Sequence, residues 1–194
     1  MPCKIILVGY EGSQKIVPAS KYLTSKYLPG FDITYLNYKG PIDEWAKYVS
    51  GYLEYLTDEK VIFALDDYLI SGPIDMEVFK EANEALGGSL INAKLCECSE
   101  QDQREYPCTT QYTIWNREFL IQILGFVKNP WQFELDGSKI LTQVGWQTIL
   151  RPCIPYFTNS SLSGRWDGVN LEGLNQQDEF WVKTSLSNGN KRSD

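Results

Sequence analysis

The chain has 194 residues, enough for one domain with a buried core. Its net charge of −7 argues against a nucleic-acid-binding protein, because a phosphate backbone is bound by a basic face. Histidine is absent, which excludes a Ser-His or Cys-His nucleophile pair and the usual zinc ligand. Chemistry in this chain must therefore use carboxylates, hydroxyls, cations or a bound metal.

The first part of the chain alternates predicted strands with predicted helices. In chain order they are a strand at Lys4–Val8, a helix at Pro18–Tyr27, a strand at Asp32–Leu36, a helix at Asp43–Leu56, a strand at Val61–Leu65 and a helix at Asp75–Leu86. This βαβαβ order predicts a parallel sheet with right-handed crossovers.

After Gly87-Gly88 the pattern becomes less regular. We expect strands at Leu90–Cys96 and Thr109–Trp115, a loop at Ser99–Pro107, helices at Arg117–Leu124 and Asn129–Lys139, and a strand near Arg151–Ile154. The fold class is thus α/β, with one domain over residues 1–184. Residues 185–194 form a polar tail that we expect to be disordered or a linker.

The cysteines and the start of the chain bear on location. Cys96 and Cys98 are too close for an easy disulfide, and no paired CxxC motif suggests zinc, so we expect all five cysteines to be reduced. The chain enters a strand at Lys4 without a charged and then apolar leader, and no apolar run reaches membrane-spanning length. We therefore expect a cytoplasmic protein with no signal peptide and no transmembrane segment.

The pair Asp66-Asp67 ends a short apolar run that is typical of a buried strand. Successive strand residues point to opposite faces, so one neighbour cannot satisfy both carboxylates. The carboxyl ends of strands are where open α/β sheets bind ligands. Capping is the ordinary alternative, but Pro73 and Asp75 already supply a turn and a cap for the next helix. We favour a site for a hard cation, Mn²⁺ or Mg²⁺.

A second candidate is the loop Gly9-Tyr10-Glu11-Gly12, which follows the first strand and lies at the same sheet edge. It lacks the GxGxxG spacing, and Asn37 stands where a dinucleotide-binding protein carries an acidic residue. A loop that contacts a base or ribose and an ordinary βα turn both stay open.

Three later segments carry further candidates. Gln111 and Trp115 are candidates for contact with a substrate, while their neighbours suit core packing and a cap at Asn116. Glu134 lies among aromatic residues and is a candidate base, although spacing alone favours a solvated carboxylate. Arg165, beside Trp166 and between glycines, suits a loop that closes on a phosphate, although spacing alone favours a surface loop.

Three motifs in this order resemble those of GT-A nucleotide-sugar glycosyltransferases. They are Leu65-Asp66-Asp67-Tyr68, the segment from Gln111 to Leu120, and Pro130-Trp131-Gln132-Phe133-Glu134. The resemblance spans about residues 4–168 and is closest to small enzymes of bacterial capsule clusters and of large algal viruses that build capsid glycans. It implies a central, mostly parallel mixed sheet flanked by helices.

The resemblance also implies roles for individual residues. Asp67 falls at the metal-binding end of the family's DxD motif, whose first carboxylate is replaced here by Leu65, and Asp66 then meets the ribose or the sugar. Water, diphosphate or another oxygen takes the place of the family's late histidine ligand. Glu134 matches the family's candidate base. The residues that hold uracil and ribose correspond to Val8, Gly9 and Tyr10.

The implied activity is transfer of a sugar from a UDP-sugar to a hydroxyl of a glycan or glycoprotein, in the host cytoplasm if the protein is viral. Trp115, Trp131 and Trp166 offer flat faces for sugar rings. Glu134 takes the proton if the configuration inverts, and has another role if it is retained. A nucleotidyltransferase and a non-catalytic nucleotide-sugar-binding module are the alternatives.

Overall fold

The computed structural model describes residues 3–10, 16–158 and 174–189. Strands in these ranges are Lys4–Tyr10 (β1), Ile33–Tyr38 (β2), Lys60–Leu65 (β3), Tyr68–Ile70 (β4), Leu90–Lys94 (β5), Thr113–Asn116 (β6), Gln147–Leu150 (β7) and Tyr156–Thr158 (β8). Helices are Val17–Tyr27 (α1), Trp45–Glu54 (α2), Met76–Ala85 (α3), Glu100–Glu105 (α4), Arg117–Leu124 (α5), Pro130–Gln143 (α6) and Gln176–Gly189 (α7).

A six-stranded sheet in the order β2-β1-β3-β6-β5-β7 forms the centre of the molecule. Strand β6 runs antiparallel to its neighbours β3 and β5, and the other pairs are parallel. Strands β4 and β8 make a separate antiparallel pair. The predicted α/β domain with a mixed, mostly parallel sheet is confirmed.

Each face of the sheet carries its own apolar core. On one face, the rings of Trp45, Phe63 and Phe133 pack edge to face, with centroids 5.8 to 6.3 Å apart. On the other face, Ile62 packs in a cluster that includes Phe79 of α3. Because Ile62 and Phe63 are adjacent in β3, the two cores follow from the alternation of strand side chains.

Helix starts were well predicted where a side-chain cap is present. The Asp75 carboxylate accepts hydrogen bonds from the backbone N–H groups of Glu77 and Val78 at the start of α3. Asn116 caps α5 in the same way, and α5 has the predicted bounds. These caps confirm the two boundaries inferred from local sequence.

Other segments differ from the expectation. The predicted loop Ser99–Pro107 contains α4, in which the Gln101 side-chain amide donates to Glu105 one turn later. Strand β4 directly follows the Asp66-Asp67 turn, where no strand was expected. Helix α7 continues through Gly189, so residues 185–189 of the predicted disordered tail are helical, while 190–194 lie outside the described residues.

All five cysteines have free thiols. Within the described ranges, no helix combines the length and the apolar character of a membrane span.

Candidate functional site

The candidate site lies where strands β1, β2 and β3 end. Strand β3 ends at Leu65, and Asp66 and Asp67 form the turn that leads to β4. Parallel pairing sets Val8 opposite Leu65 and Gly9 opposite Asn37. The fold therefore gathers predicted residues from three strands at one edge of the sheet.

The main chain ties this edge together. The N–H of Asp66 donates to the Val8 carbonyl, with 3.2 Å between nitrogen and oxygen. The Val8 side chain is fully buried, so this residue can contact a ligand only through its main chain. Asn37 is exposed at the same edge. The backbone of Tyr10 pairs with that of Tyr38.

Asp67 carries a buried oxygen that lacks a partner. Its Oδ1 is shielded from solvent and accepts no hydrogen bond from any described residue. Burial raises the pKa of the Asp67 carboxyl to about 6. A hydrogen bond from the backbone N–H of Asp67 to its own carboxylate opposes this increase, and the nearby negative charge of Glu134 adds to it. Buried acceptors are normally satisfied, so this oxygen is a feature that a bound cation would explain.

Asp66 lies in a different environment. It is 1% exposed, and the negative charge of its carboxylate influences the pKa of the Tyr35 and Tyr112 phenols. Burial is the main cause of the raised pKa of both phenols, and the Asp66 charge contributes a smaller increase. The charge of Asp67, in contrast, contributes to the raised pKa of Tyr68, and the charge of Glu134 contributes to the raised pKa of Asp67. The two carboxylates therefore have separate neighbours.

Glu134 is fixed by a residue that sequence reasoning missed. Its Oε1 accepts the backbone N–H of Thr110 at 2.9 Å and the Thr110 hydroxyl at 2.7 Å. The Tyr68 hydroxyl lies 3.4 Å from the same Thr110 oxygen, and the Thr110 carbonyl accepts the N–H of Leu65. Thr110 thus links the end of β3 to α6. The sequence predicted Thr110 as part of a strand, whereas β6 begins at Thr113, and no local pattern marks this threonine as a partner of Glu134.

The residues predicted to contact a substrate differ in their exposure to solvent. Gln111 is half-buried beside Thr110. Trp131 is 62% exposed and lies one helical turn before Glu134. The prediction for Trp115 was wrong, because this residue is 0% exposed and its ring packs 5.7 Å from that of Phe133.

The position of Trp115 in the sheet explains this correction. It pairs with Val61 of β3 and belongs to the core cluster on the face of α2 and α6. A wholly buried ring cannot stack on a sugar. The predictions for Glu11, Gly12, Arg165 and Trp166 lie outside the described residues.

A divalent cation would have few protein ligands here. The described residues contain no group of three or more acidic, histidine or cysteine side chains that could hold a metal ion. Asp67 nevertheless offers an oxygen without a partner, and oxygen ligands suit Mn²⁺ or Mg²⁺. Among the described residues, Asp67 would supply the carboxylate oxygen for such a cation.

Comparison with known proteins identifies the fold. No protein-family model matches the sequence, and no curated protein matches it significantly. A glycosyltransferase involved in glycosylation of the major capsid of PBCV-1 superposes with a TM-score of 0.50 at 15% identity, covering 78% of this chain and 82% of that one. Protein A197 from STIV gives 0.50 at 11% identity, covering 80% and 85%.

A cytidylyltransferase from Leptospira borgpetersenii serovar Hardjo-bovis gives a TM-score of 0.49 at 10% identity, covering 78% of this chain and 76% of that one. At these identities the likeness concerns the fold alone. The chain has the GT-A fold of nucleotide-sugar glycosyltransferases, as the resemblance implied.

Proposed function

We propose that this protein is a metal-dependent glycosyltransferase that moves a sugar from a UDP-sugar to the hydroxyl of a glycan or glycoprotein. The observation that carries the proposal is the buried, unpartnered Oδ1 of Asp67 at the carboxyl edge of a GT-A sheet. An unsatisfied buried acceptor costs stability, and a bound cation at this edge would offset that cost.

Asp67 is the proposed protein ligand of Mn²⁺ or Mg²⁺. When bound, the cation neutralises charge on the diphosphate leaving group as a Lewis acid. The backbone N–H of Asp66 orders the edge by donating to the Val8 carbonyl, but its side chain is 1% exposed and is too buried to contact the ribose or the sugar as the resemblance implied. The nucleoside is proposed to lie against the main chain of Gly9 and Tyr10 and against the exposed Asn37. Arg165 stays the proposed contact to phosphate.

Glu134 is the proposed base for an inverting transfer. Both donors of Thr110 fix its Oε1, while Oε2 has no hydrogen-bond partner in the described part of the chain. A carboxylate held by one oxygen and open at the other is suited to accept a proton from an acceptor hydroxyl. In a retaining enzyme, the same geometry would instead position the substrate.

The acceptor side of the site is proposed to include Trp131 and Gln111, with Trp166 on the segment that lies outside the described residues. Trp131 shares a face of α6 with Glu134, so a sugar stacked on its ring would lie near the carboxylate.

UDP binding with and without Mn²⁺ tests this proposal. We expect calorimetric titration to show binding that requires Mn²⁺ and is lost in Asp67→Ala, whereas Asp136→Ala, on the exposed face of α6, binds normally. Equal binding without metal, or in Asp67→Ala, would overturn the metal role.

The class of reaction needs a second assay. Incubation with a panel of UDP-sugars should release UDP by slow donor hydrolysis. Release of pyrophosphate from a nucleoside triphosphate and a sugar 1-phosphate would instead identify a nucleotidyltransferase. Binding of UDP without any turnover, with acceptors supplied, would indicate a binding module.

A further inference from the structure

A groove lined by tyrosines lies between β2 and α2, and we name it the tyrosine groove. It is a shallow, open groove with a volume of about 480 Å³, and its aromatic lining consists of Tyr38, Tyr48, Tyr52 and Tyr55. None of these residues belongs to the candidate site described above. Tyr38 and Tyr52 belong to or pack against the apolar core, whereas Tyr48 and Tyr55 expose 40% and 88% of their surface to solvent.

Two of the rings are fixed by hydrogen bonds. The Tyr38 hydroxyl donates to the Pro41 carbonyl at 2.5 Å, and the Tyr52 hydroxyl donates to Oγ1 of Thr34 at 3.1 Å. The Tyr48 ring packs on that of Tyr38, with centroids 5.0 Å apart. These contacts hold the rings before any ligand arrives, which lowers the entropy cost of binding.

The other rings are open to a ligand. Tyr48 is 40% exposed and Tyr55 is 88% exposed. Gly51 lies between them in α2, and no atom lies within 4 Å of the position that its Cβ would take. Glycine inside a helix is less favourable than alanine, and packing does not demand it here. The missing side chain leaves the groove accessible.

The charge of the groove selects the kind of ligand. Glu44 and Lys47 complete its lining and offset one another, so the groove presents no net charge. An anionic ligand such as a phosphate or a nucleic acid finds no cationic cluster there. Flat ring faces match the C–H face of a pyranose, while phenol, carboxylate and ammonium groups match its hydroxyls.

Two connections link the segments that line the groove to the elements of the candidate site. Tyr38 directly follows Asn37, which lies at the nucleotide edge. Asp43, next to Glu44 of the groove, accepts a hydrogen bond from the Asn129 side-chain amide at 3.1 Å. Asn129 caps α6, the helix of Trp131 and Glu134. This hydrogen bond therefore ties the segment before α2, which contributes Glu44 to the groove, to the start of the helix that carries the proposed base.

We propose that the tyrosine groove is a second carbohydrate-binding site that holds a neutral oligosaccharide. Its position suits a distal part of a glycan chain whose end is presented to the active site. Binding in the groove does not need the metal or the transfer reaction, so it can be tested separately from the proposed activity.

The test is titration of the full chain with maltohexaose, cellohexaose and mannohexaose, followed by calorimetry and saturation-transfer NMR. At least one sugar should bind the wild-type protein. Gly51→Phe fills the groove and should weaken this binding by about tenfold or more. Gly51→Ala adds one methyl group to open space and is the matched control that should bind normally.

Two further variants complete the design. Tyr48→Ala removes a partly exposed ring and should also weaken binding by about tenfold, which guards against misfolding of Gly51→Phe. Asp67→Ala should bind the sugar normally, so failure of the metal site would not mimic failure of the groove. Absence of binding by all three sugars, equal binding by Gly51→Phe, or binding of decaproline in their place would overturn the proposal.

Discussion

The carboxylate of Asp67 is placed where it costs stability and where it can hold a cation. In the folded protein its pKa is about 6, against an ordinary value of 3.8. A raised pKa means that the folded state holds the proton more tightly than the unfolded chain does. The charged form therefore opposes folding as the pH rises above about 4, and the cost is complete above about 6.

Asp67→Asn should accordingly stabilise the protein. Removing the buried charge is expected to raise the free energy of unfolding at pH 7.5 by about 2 kcal/mol. The gain should shrink as the pH falls through the window from about 6 to about 4. Urea unfolding at several pH values measures it, and a gain that does not depend on pH would contradict the assignment.

The substitution Glu134→Gln tests the proposed base while keeping the hydrogen bonds that hold this side chain. Glutamine keeps an oxygen that can accept the two hydrogen bonds of Thr110, but it cannot take a proton. For an inverting enzyme, we expect kcat to fall about 10²- to 10⁴-fold with little change in donor binding. Asp136→Asn, two residues further along α6, is the control. Wild-type kcat in Glu134→Gln would remove Glu134 from the catalytic role.

Among the elements, α7 is attached to the domain by a buried carboxylate. Asp178 is 0% exposed and accepts hydrogen bonds from Lys26 at 2.6 Å, from Asn175 at 2.7 Å, and from the hydroxyls of Tyr22 and Tyr27. Burial alone would raise the pKa of Asp178, but these donors outweigh it and lower the pKa. The ionised carboxylate therefore holds α7 against α1.

Asp178→Asn should loosen α7. It removes a charge that accepts several hydrogen bonds, so we expect a loss of about 2 kcal/mol in the free energy of unfolding at pH 7. Because the folded pKa is lowered, this stabilisation is present above the ordinary pKa and is lost as the pH falls through the folded value. Urea unfolding and hydrogen exchange in α7 measure the effect.

Glu179→Gln is the matched control for that prediction. Glu179 pairs with Lys183 on the exposed side of the same helix, and exposed ion pairs contribute less than about 1 kcal/mol. If both substitutions destabilise the protein equally, the buried carboxylate has no special role in holding α7.

At the scale of the whole molecule, the net charge of −7 bears on nucleotide binding. An anionic protein repels an anionic diphosphate, so a cation should be needed to join them. With Mn²⁺ present, UDP at 100 times its dissociation constant should stabilise the fold by about 2.7 kcal/mol, a rise in Tm of about 5 °C or more.

Thermal unfolding measures this shift. EDTA should abolish it, and Asp67→Ala should show none. An equal rise in Tm with UDP alone would show that the nucleotide binds without a metal.

Local interactions explain which features were predictable. The bounds of α5 and the caps at Asp75 and Asn116 depend on residues within one helical turn, so the pattern indicates them directly. The short continuous apolar run around Phe63 likewise predicts a buried strand. Helix α4 escaped prediction because its residues are polar throughout, and no apolar period marks it.

The sequence by itself determined the α/β order, the Asp66-Asp67 turn at a strand end and the absence of histidine chemistry. Only the tertiary structure decided that Thr110 fixes Glu134 and that Trp115 is buried in the core. The physical reason is distance along the chain. Thr110 and Glu134 are 24 residues apart, and their contact depends on how α6 packs on the sheet, which no local pattern encodes.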